Sequence, residues 1–212
     1  ATFIARRRDE APKVRCANFG PQATLPHPHS RLRRESPPDS GGKASGSDAL
    51  GRDPNVKLDR MDTALRERFG GIDRLYGSGA LARFNASHVT VIGIGGVGSW
   101  AVEALARSGI GKLTLVDADD LCVSNTNRQL PALEGQYGRA KVEAMGERLR
   151  AINPGIELDL RPQFLTPTNL GDMLDAPGEL VLDACDSFRS KVEAIAYCRR
   201  RKQPIVTVGS AG

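Results

Sequence analysis

Cysteine, aromatic residues and long apolar runs are all scarce in this chain of 212 residues. Its cysteines are Cys16, Cys122, Cys185 and Cys198, with no C-x-x-C pair of the kind that binds zinc. No secretory apolar segment precedes them, and no run approaches the roughly 20 apolar residues of a membrane-spanning helix. These absences predict a protein of a reducing compartment without a zinc site, and we expect a cytoplasmic location.

The excess of positive charge is confined to the first 60 residues. Residues 1–60 contain 12 Lys and Arg against 7 Asp and Glu, whereas residues 61–212 contain 18 of each kind. This leader is rich in Arg, Pro, Ser and Gly and has no apolar period, so it is predicted to be disordered. Its acidic residues disfavour an organelle transit peptide.

The first methionine is Met61, where periodic sequence begins. We therefore expect a true start there and one folded domain over 61–212.

The stretch "HVTVIGIGGVGSWAVEAL" carries the first signal of function. Its spacing Gly93-x-Gly95-x-x-Gly98 follows an apolar β-branched run and precedes a helix pattern. Glycines at this spacing permit a tight turn and let backbone N–H groups approach a phosphate at a helix N-terminus. Taken alone, the loop predicts a nucleotide site and is equally typical of a dehydrogenase.

Strand and helix patterns alternate through the rest of the domain. A helix, a Gly-rich turn and a second helix are expected in "MDTALRERFGGIDRLYGSGALARFNAS" before the first strand. Strands are then predicted in "HVTVIGI", "KLTLVDADD", "IELDLRPQF", "ELVLDACD" and "PIVTVGSAG", with helices between them. This order indicates an α/β fold with a doubly wound, mostly parallel Rossmann-like sheet and flanking helices. Ligands of such sheets bind at the carboxyl ends of the strands.

Cationic residues behind the glycine loop favour ATP over NAD. Asp117, about 20 residues beyond the loop, suits the ribose of either nucleotide. Arg128 in "SNTNRQ" and Lys141 in "GRAKVEAM" suit an enzyme that cleaves ATP between its α and β phosphates, where they neutralise developing charge. Asp186, at the end of "VLDACD", is a candidate Mg²⁺ ligand. The plain alternatives are a helix N-cap for each Asp and ordinary surface charge for Arg128 and Lys141.

Together these segments resemble a known family. "GIGGVGSW", "VDADD", "NTNRQ", Lys141 and "LDACDS" are similar to the adenylating enzymes of the ubiquitin-activating type, the ThiF/MoeB/HesA-like family. Within it, "RFGG", "RLYG", "GGVGSWAVEALARSGIG", "AYCRRRK" and "TVGSAG" resemble the branch that dehydrates threonylcarbamoyladenosine in tRNA. The resemblance spans residues 62–212, and complete members would continue beyond Gly212. It implies an ATP-binding adenylating domain over 61–212 that is incomplete at its C-terminus.

The resemblance also implies roles for individual residues. Gly93, Gly95, Gly96 and Gly98 would bring the backbone to the triphosphate, and Asp117 would bind the ribose. The phosphates would be surrounded by Asn125, Arg128, Gln129 and Lys141. Asp186 would hold Mg²⁺, with Asp183 as a second acid, and Arg74 would reach the ATP of a partner subunit. The implied catalytic residues are Arg128, Lys141 and Asp186.

The implied reaction is ATP-dependent cyclisation of threonylcarbamoyladenosine with release of AMP and pyrophosphate. The expected partners are a tRNA carrying that nucleoside, a second copy of the chain and a candidate sulfur-transfer protein, and no DNA. Two alternatives stay open at this point. One is an activator of a ubiquitin-like or sulfur-carrier protein, and the other is an NAD-dependent oxidoreductase.

Two further expectations concern RNA contact and the thiols. Arg199, Arg200, Arg201 and Lys202 end a predicted helix, where they either meet tRNA phosphate or interact with the helix dipole. Aromatic stacking partners for this run are scarce in the nearby sequence.

None of the thiols at positions 122, 185 and 198 is expected to form an acyl-thioester, because their surroundings are acidic or apolar.

Overall fold

The computed structural model describes residues 63–175 and 180–209. The predicted disordered leader over residues 1–60 and the proposed start at Met61 lie outside this range, so both stay predictions. No helix in the described part of the chain is long and apolar enough to cross a membrane.

Between residue 63 and the first strand there are three short helices rather than the predicted two. They are α1 (63–69), α2 (Gly71–Tyr76) and α3 (Ala80–Asn85). The pair Gly70-Gly71 interrupts the first predicted helix, since glycine is a poor helix former. Gly77 and Gly79 have φ values of 90° and 81°. Such left-handed backbone ends α2 and separates it from α3, so the segment contains two Gly-rich turns instead of one.

Five parallel strands form one sheet, which confirms the predicted fold class. They are β1 (His88–Ile92), β2 (Lys112–Val116), β3 (Glu157–Arg161), β4 (Leu180–Asp183) and β5 (Ile205–Thr207). Their order is β3-β2-β1-β4-β5, with every neighbouring pair parallel. The chain therefore winds outward in both directions from β1, and Ile92 of β1 pairs with Asp183 of β4. The carboxyl ends of these two strands are the switch point at which such sheets bind ligands.

Helices cover both faces of this sheet. They are α4 (Gly98–Arg107), α5 (Lys141–Ile152), α6 (Leu170–Leu174) and α7 (Phe188–Arg201), and a 3-10 turn is present at Val123–Asn125. Val102 of α4 and Met145 of α5 share one core with the strand residue Leu115, whereas Leu174 of α6 and Ala194 of α7 lie in a second core. Fully burying a Val, Leu or Met side chain contributes about 1.5–3 kcal/mol, so both cores hold the strand ends in place.

Candidate nucleotide site

A cavity of about 580 Å³ opens at the carboxyl edge of the sheet. Nine of the predicted site residues line it: Gly93, Gly95, Gly96, Asp117, Asn125, Arg128, Gln129, Lys141 and Asp186. They come from the ends of β1, β2 and β4, from the 3-10 turn with the loop after it, and from the start of α5. The fold thus gathers residues that are far apart in the sequence around one space.

Gly98 does not line the cavity, and together with Gly93 it shapes the loop. A Cβ atom on Gly98 would lie 1.8 Å from the carbonyl oxygen of Gly93, so only glycine permits this contact. Gly93 has a φ of 85°, and a Cβ there would lie 2.9 Å from the backbone of Cys185. These two positions require glycine because of the protein's own packing, and they place the N-terminus of α4 beside the cavity.

Gly95 requires a different explanation from that of its neighbours. A Cβ atom on Gly95 would meet nothing closer than the Gln129 amide nitrogen, at 4.0 Å, and would point into the space around the cavity. By contrast, a Cβ on Gly96 would lie 3.2 Å from the Arg128 side chain. No protein atom therefore requires glycine at position 95. A ligand that approaches the backbone closely would require it.

The carboxylate of Asp117 is held in one orientation at the end of β2. Its two oxygens accept hydrogen bonds from the backbone N–H of Ile94, at 2.6 Å, and of Asp119, at 2.9 Å. Its side chain is only 10% exposed, and burial raises the pKa of Asp117, opposed by the charge of Lys141. The site therefore presents a rigid acceptor where the sequence places the ribose acid.

Lys141 is buried above this carboxylate at the first position of α5. Its ammonium lies 2.8 Å from the Asp119 carboxylate and 4.0 Å from that of Asp117. Asp119 is a site residue that sequence reasoning missed, although it lies within the quoted "VDADD" segment. The two acids fix the buried cation at the wall of the cavity, so Lys141 is not an ordinary surface charge.

The other predicted phosphate ligands lie in the 3-10 turn and in the loop that follows it. Arg128 is exposed, and its guanidinium donates to the Ser124 carbonyl at 3.0 Å and to the Asn127 side chain at 2.9 Å. The side-chain oxygen of Asn125 accepts from the Cys122 N–H at 2.9 Å, so Asn125 shapes the turn as well as lining the cavity. The turn therefore orients Arg128 through contacts of its own.

The Gln129 amide is a buried polar group at the wall of the cavity. Its side chain is 6% exposed, and its amide oxygen is buried without a hydrogen-bond partner in the described structure. Buried polar atoms are nearly always bonded, and the oxygen and nitrogen of such an amide exchange places by a simple flip. A polar ligand in the cavity would satisfy this amide in either orientation.

Two acids lie at the carboxyl end of β4, Asp183 within the strand and Asp186 after it, and they have different environments. The exposed Asp186 lines the cavity, and the N-cap of α7 is Ser187, whose hydroxyl accepts from the Ser190 N–H at 3.3 Å. The N-cap alternative for Asp186 is therefore wrong. Asp183 is fully buried and its carboxylate lies 2.6 Å from the ammonium of Lys191, a residue that sequence reasoning missed.

Asp183 does not line the cavity and is paired with Lys191, so its surroundings give no support to the expectation of a second metal-binding acid, which stays a prediction. Within residues 63–175 and 180–209, no group of three or more His, Cys, Asp or Glu side chains is placed to hold a metal ion. A Mg²⁺ ion at Asp186 would therefore take its other ligands from phosphate and water, as this ion commonly does.

The described thiols have surroundings unsuited to nucleophilic attack. Burial, and then the Asp183 carboxylate, raise the pKa of Cys185 to about 12. Cys198 is fully buried in the core under α7. These environments support the expectation that neither thiol forms an acyl-thioester, which stays a prediction.

The cationic run at the end of α7 has an aromatic neighbour after all. The guanidiniums of Arg200 and Arg201 lie 6.0 Å and 5.4 Å from the centre of the Tyr197 ring. The helical spacing of three and four residues brings them together. The expected scarcity of aromatic partners for RNA bases stays a prediction. Arg201 also pairs with Asp175 at 2.7 Å. Lys202 ends the helix in left-handed backbone, with φ of 56°.

The doubly wound sheet, the glycine loop and the switch-point cavity define an α/β nucleotide-binding domain. Residues 71–212 match the ThiF family, and the chain belongs to it. This assignment confirms the family resemblance found in the sequence.

The most informative relatives are tRNA-modifying enzymes. The chain is 53% identical to the tRNA threonylcarbamoyladenosine dehydratase of Haemophilus influenzae, over 72% of this chain and 58% of that protein. It is 54% identical to the Escherichia coli protein of the same name, over 72% and 57%. The crystal structure of that E. coli enzyme with ATP matches with a TM-score of 0.69, over 70% of this chain and 61% of the other. The chain thus spans less than two thirds of the length of these relatives.

Proposed function

We propose that this chain is the adenylating domain of an ATP-dependent tRNA threonylcarbamoyladenosine dehydratase. The observation that carries the proposal is the cavity that joins Gly95, the Asp117 carboxylate and the buried ammonium of Lys141. It has the acceptor, the cation and the open backbone that a nucleoside triphosphate needs. The relatives that are 53% and 54% identical bear the dehydratase name, and one of them has been crystallised with ATP.

The chemistry of the cavity lining suits ATP. Asp117 accepts hydrogen bonds from the ribose hydroxyls, and Gly95 and Gly96 let the loop backbone approach the phosphates. Lys141, Arg128 and the buried Gln129 amide bind phosphate oxygens, with Asn125 supporting them. To do so, the Arg128 guanidinium turns from its loop contacts toward the cavity.

The reaction activates a carboxylate by adenylation. A carboxylate oxygen of the threonylcarbamoyl group attacks the α-phosphorus, and the bond to the β-phosphate oxygen breaks, so pyrophosphate leaves with the electron pair. Lys141 and Arg128 stabilise the charge that develops on the phosphates. A nucleophile within the same group then attacks the acyl carbon and loses its proton, and AMP leaves. The net change in the nucleoside is loss of water.

Asp186 is the residue that would hold Mg²⁺. The ion, when bound, would neutralise charge on the phosphates. The carboxylate suits this role because it is exposed, lines the cavity and is not needed as the cap of α7. The fit is that of one carboxylate plus phosphate and water, rather than of a site made by protein alone.

A homodimer is the expected assembly. Arg74 is exposed on α2 and does not line the cavity of its own chain. An arginine in that place is available to the ATP of a partner subunit. Mixing a Lys141→Met subunit with an Arg74→Ala subunit would then restore activity in mixed dimers, because one site of each has both residues intact. We also propose a cytoplasmic location and, as a further partner, a sulfur-transfer protein.

The deciding experiment uses the longest natural form of the protein with ATP, Mg²⁺ and tRNA that carries threonylcarbamoyladenosine. We expect the cyclised nucleoside and AMP in equal amounts by mass spectrometry, and loss of both in Lys141→Met. Correctly folded enzyme that fails on this substrate would contradict the proposal.

The same preparation tests both alternatives. Pyrophosphate exchange that depends on a carrier protein with a Gly-Gly tail, and not on tRNA, would favour the carrier-activating function. That function has some support, because the chain is also 36% identical over 126 residues to the sulfur carrier protein ThiS adenylyltransferase of E. coli. Tighter binding of NAD than of Mg-ATP would favour the oxidoreductase.

A further inference from the structure

A second, smaller cavity adjoins the nucleotide cavity. It has a volume of about 240 Å³, and three of its lining residues, Leu165, Ser187 and Ser190, also line the larger cavity. The remaining walls are formed by Thr166, Pro167, Arg189 and Glu193. The two spaces therefore meet along a common wall, and a group in one lies next to a group in the other.

Hydrogen bonds hold this common wall together. The Ser190 hydroxyl lies 3.0 Å from that of Ser187 and donates to the Leu165 carbonyl at 3.4 Å. The first turn of α7 is thereby tied to the segment between β3 and α6. The second cavity is thus a built feature of the fold, in a fixed place relative to the nucleotide.

Arg189 gives the second cavity an unpaired positive charge. It is exposed in the first turn of α7, and in the described part of the chain it makes no hydrogen bond or ion pair. A cation there is unfavourable for the helix itself, because the N-terminal end of the helix dipole is positive. Helix stability therefore does not explain Arg189, whereas recognition of an anion does.

Phe188 precedes Arg189 and is 80% exposed, more than any other large apolar side chain in the described range. It is the first residue of α7, two positions after the candidate Mg²⁺ ligand Asp186. Proteins stack unpaired RNA bases on exposed aromatic rings, and Phe188 is such a ring one residue before Arg189, outside the lining of both cavities.

We propose that the second cavity binds the carboxylate-bearing substituent of an unpaired RNA nucleoside, with Arg189 pairing with the carboxylate and Phe188 stacking on the base. This inference rests on the proposed function and names the residues that recognise its acceptor. Pockets that enclose a whole small ligand usually measure about 300–1,000 Å³. The smaller volume therefore suits the substituent, and the base would lie outside the cavity, where Phe188 is exposed.

The other walls match the remaining groups of such a substituent. The Glu193 carboxylate and the Thr166 hydroxyl accept hydrogen bonds from its N–H and O–H groups, and Leu165 contacts its methyl group. Unmodified adenosine lacks the carboxylate and leaves Arg189 unpaired. The site thus distinguishes the modified nucleoside from the unmodified one.

The test compares Arg189→Gln, Arg189→Lys and Phe188→Ala with Arg150→Gln, an exposed arginine on α5 outside both cavities. The first readout is binding of an anticodon stem-loop RNA that carries threonylcarbamoyladenosine, against the same RNA with adenosine. We expect Arg189→Gln to lower the preference for the modified RNA about 10- to 100-fold, with partial recovery in Arg189→Lys. We expect Phe188→Ala to weaken both RNAs. ATP affinity should not change in any variant.

The second readout is kcat/KM for cyclisation, which should fall in Arg189→Gln by the same factor and stay unchanged in Arg150→Gln. The inference would be overturned if Arg189→Gln preferred the modified RNA as strongly as the wild type does. It would also be overturned if the wild-type protein did not prefer the modified RNA. A protein that prefers the modified RNA yet forms no cyclised nucleoside would contradict the proposed function alone.

Discussion

The ammonium of Lys191 lies 2.6 Å from the carboxylate of Asp183, beneath the floor of the nucleotide cavity. Asp183 is fully buried, the Lys191 side chain is 13% exposed, and the same ammonium donates to the Val208 carbonyl at 3.0 Å. The pair ties the first turns of α7 to the ends of β4 and β5. It thereby positions the segment that carries Asp186 and Arg189.

Removing one partner of this pair should be costly. Lys191→Ala leaves a buried carboxylate without its cation, so we expect the free energy of unfolding to fall by about 3–5 kcal/mol in urea denaturation. The double variant Asp183→Asn, Lys191→Met removes both charges and should recover most of the loss. A single variant as stable as the wild type would show that the ion pair has no such role.

A substitution at Gly95 should affect ATP binding without affecting the stability of the fold. Gly95→Ala should lower ATP affinity at least about 10-fold, because the added methyl group enters space that the phosphates need. Its thermal midpoint should stay unchanged, since the nearest protein atom is 4.0 Å away. Isothermal titration and thermal unfolding measure the two effects.

Two other glycines serve as controls for this prediction. Gly155→Ala, with its nearest contact at 3.7 Å and outside the cavity, should change neither property. Gly98→Ala should unfold the loop, because its methyl group would overlap the Gly93 carbonyl. Normal ATP binding by Gly95→Ala would place the phosphates elsewhere.

The Mg²⁺ requirement should depend on Asp186. We expect Asp186→Asn to raise the Mg²⁺ concentration for half-maximal activity about 10-fold, because a carboxylate binds this hard cation better than an amide. Stability should be unaffected, since Ser187 caps α7. Asp120→Asn, a nearby exposed acid that does not line the cavity, is the matched control. An identical Mg²⁺ titration for Asp186→Asn and wild type would exclude Asp186 as the ligand.

The thiol of Cys185 should be inert at neutral pH. With a pKa of about 12, roughly 1 in 10,000 molecules carries the thiolate at pH 8, and this fraction rises with pH. Iodoacetamide labelling of native protein, located by mass spectrometry, should therefore be slow at Cys185 and become fast on unfolding. Cys185→Ser should retain cyclisation activity, and complete loss of it in a folded protein would refute the prediction.

The end of α7 should contribute to tRNA affinity through charge alone. In Arg199→Gln, Arg200→Gln we expect weaker tRNA binding and a shallower dependence on salt, because fewer counterions are released from the RNA. ATP affinity should stay the same, since neither arginine lines the cavity. Filter binding over a range of salt measures the slope, and an unchanged slope would leave these residues as partners of the helix dipole.

Local pattern in the sequence was enough to predict the architecture and most of the cavity lining. Alternating strands and helices predict the parallel sheet, because a strand that crosses over to a parallel neighbour needs a helix between them. The carboxyl ends of such strands share one edge, so Gly95, Asp117 and Asp186 were expected to meet there. Glycine spacing and strand-end acids are local features, and they need no knowledge of side-chain packing.

The tertiary structure decided which of these side chains have other partners. Asp183 and Asp186 look alike in the sequence. In the structure, the Asp183 carboxylate is buried and paired with Lys191, whereas the Asp186 carboxylate is available to a ligand because Ser187 caps the helix. Likewise, only the packing of α5 against the end of β2 brings Lys141 to Asp119. Such pairings depend on distances between elements, and periodicity along the chain does not contain those distances.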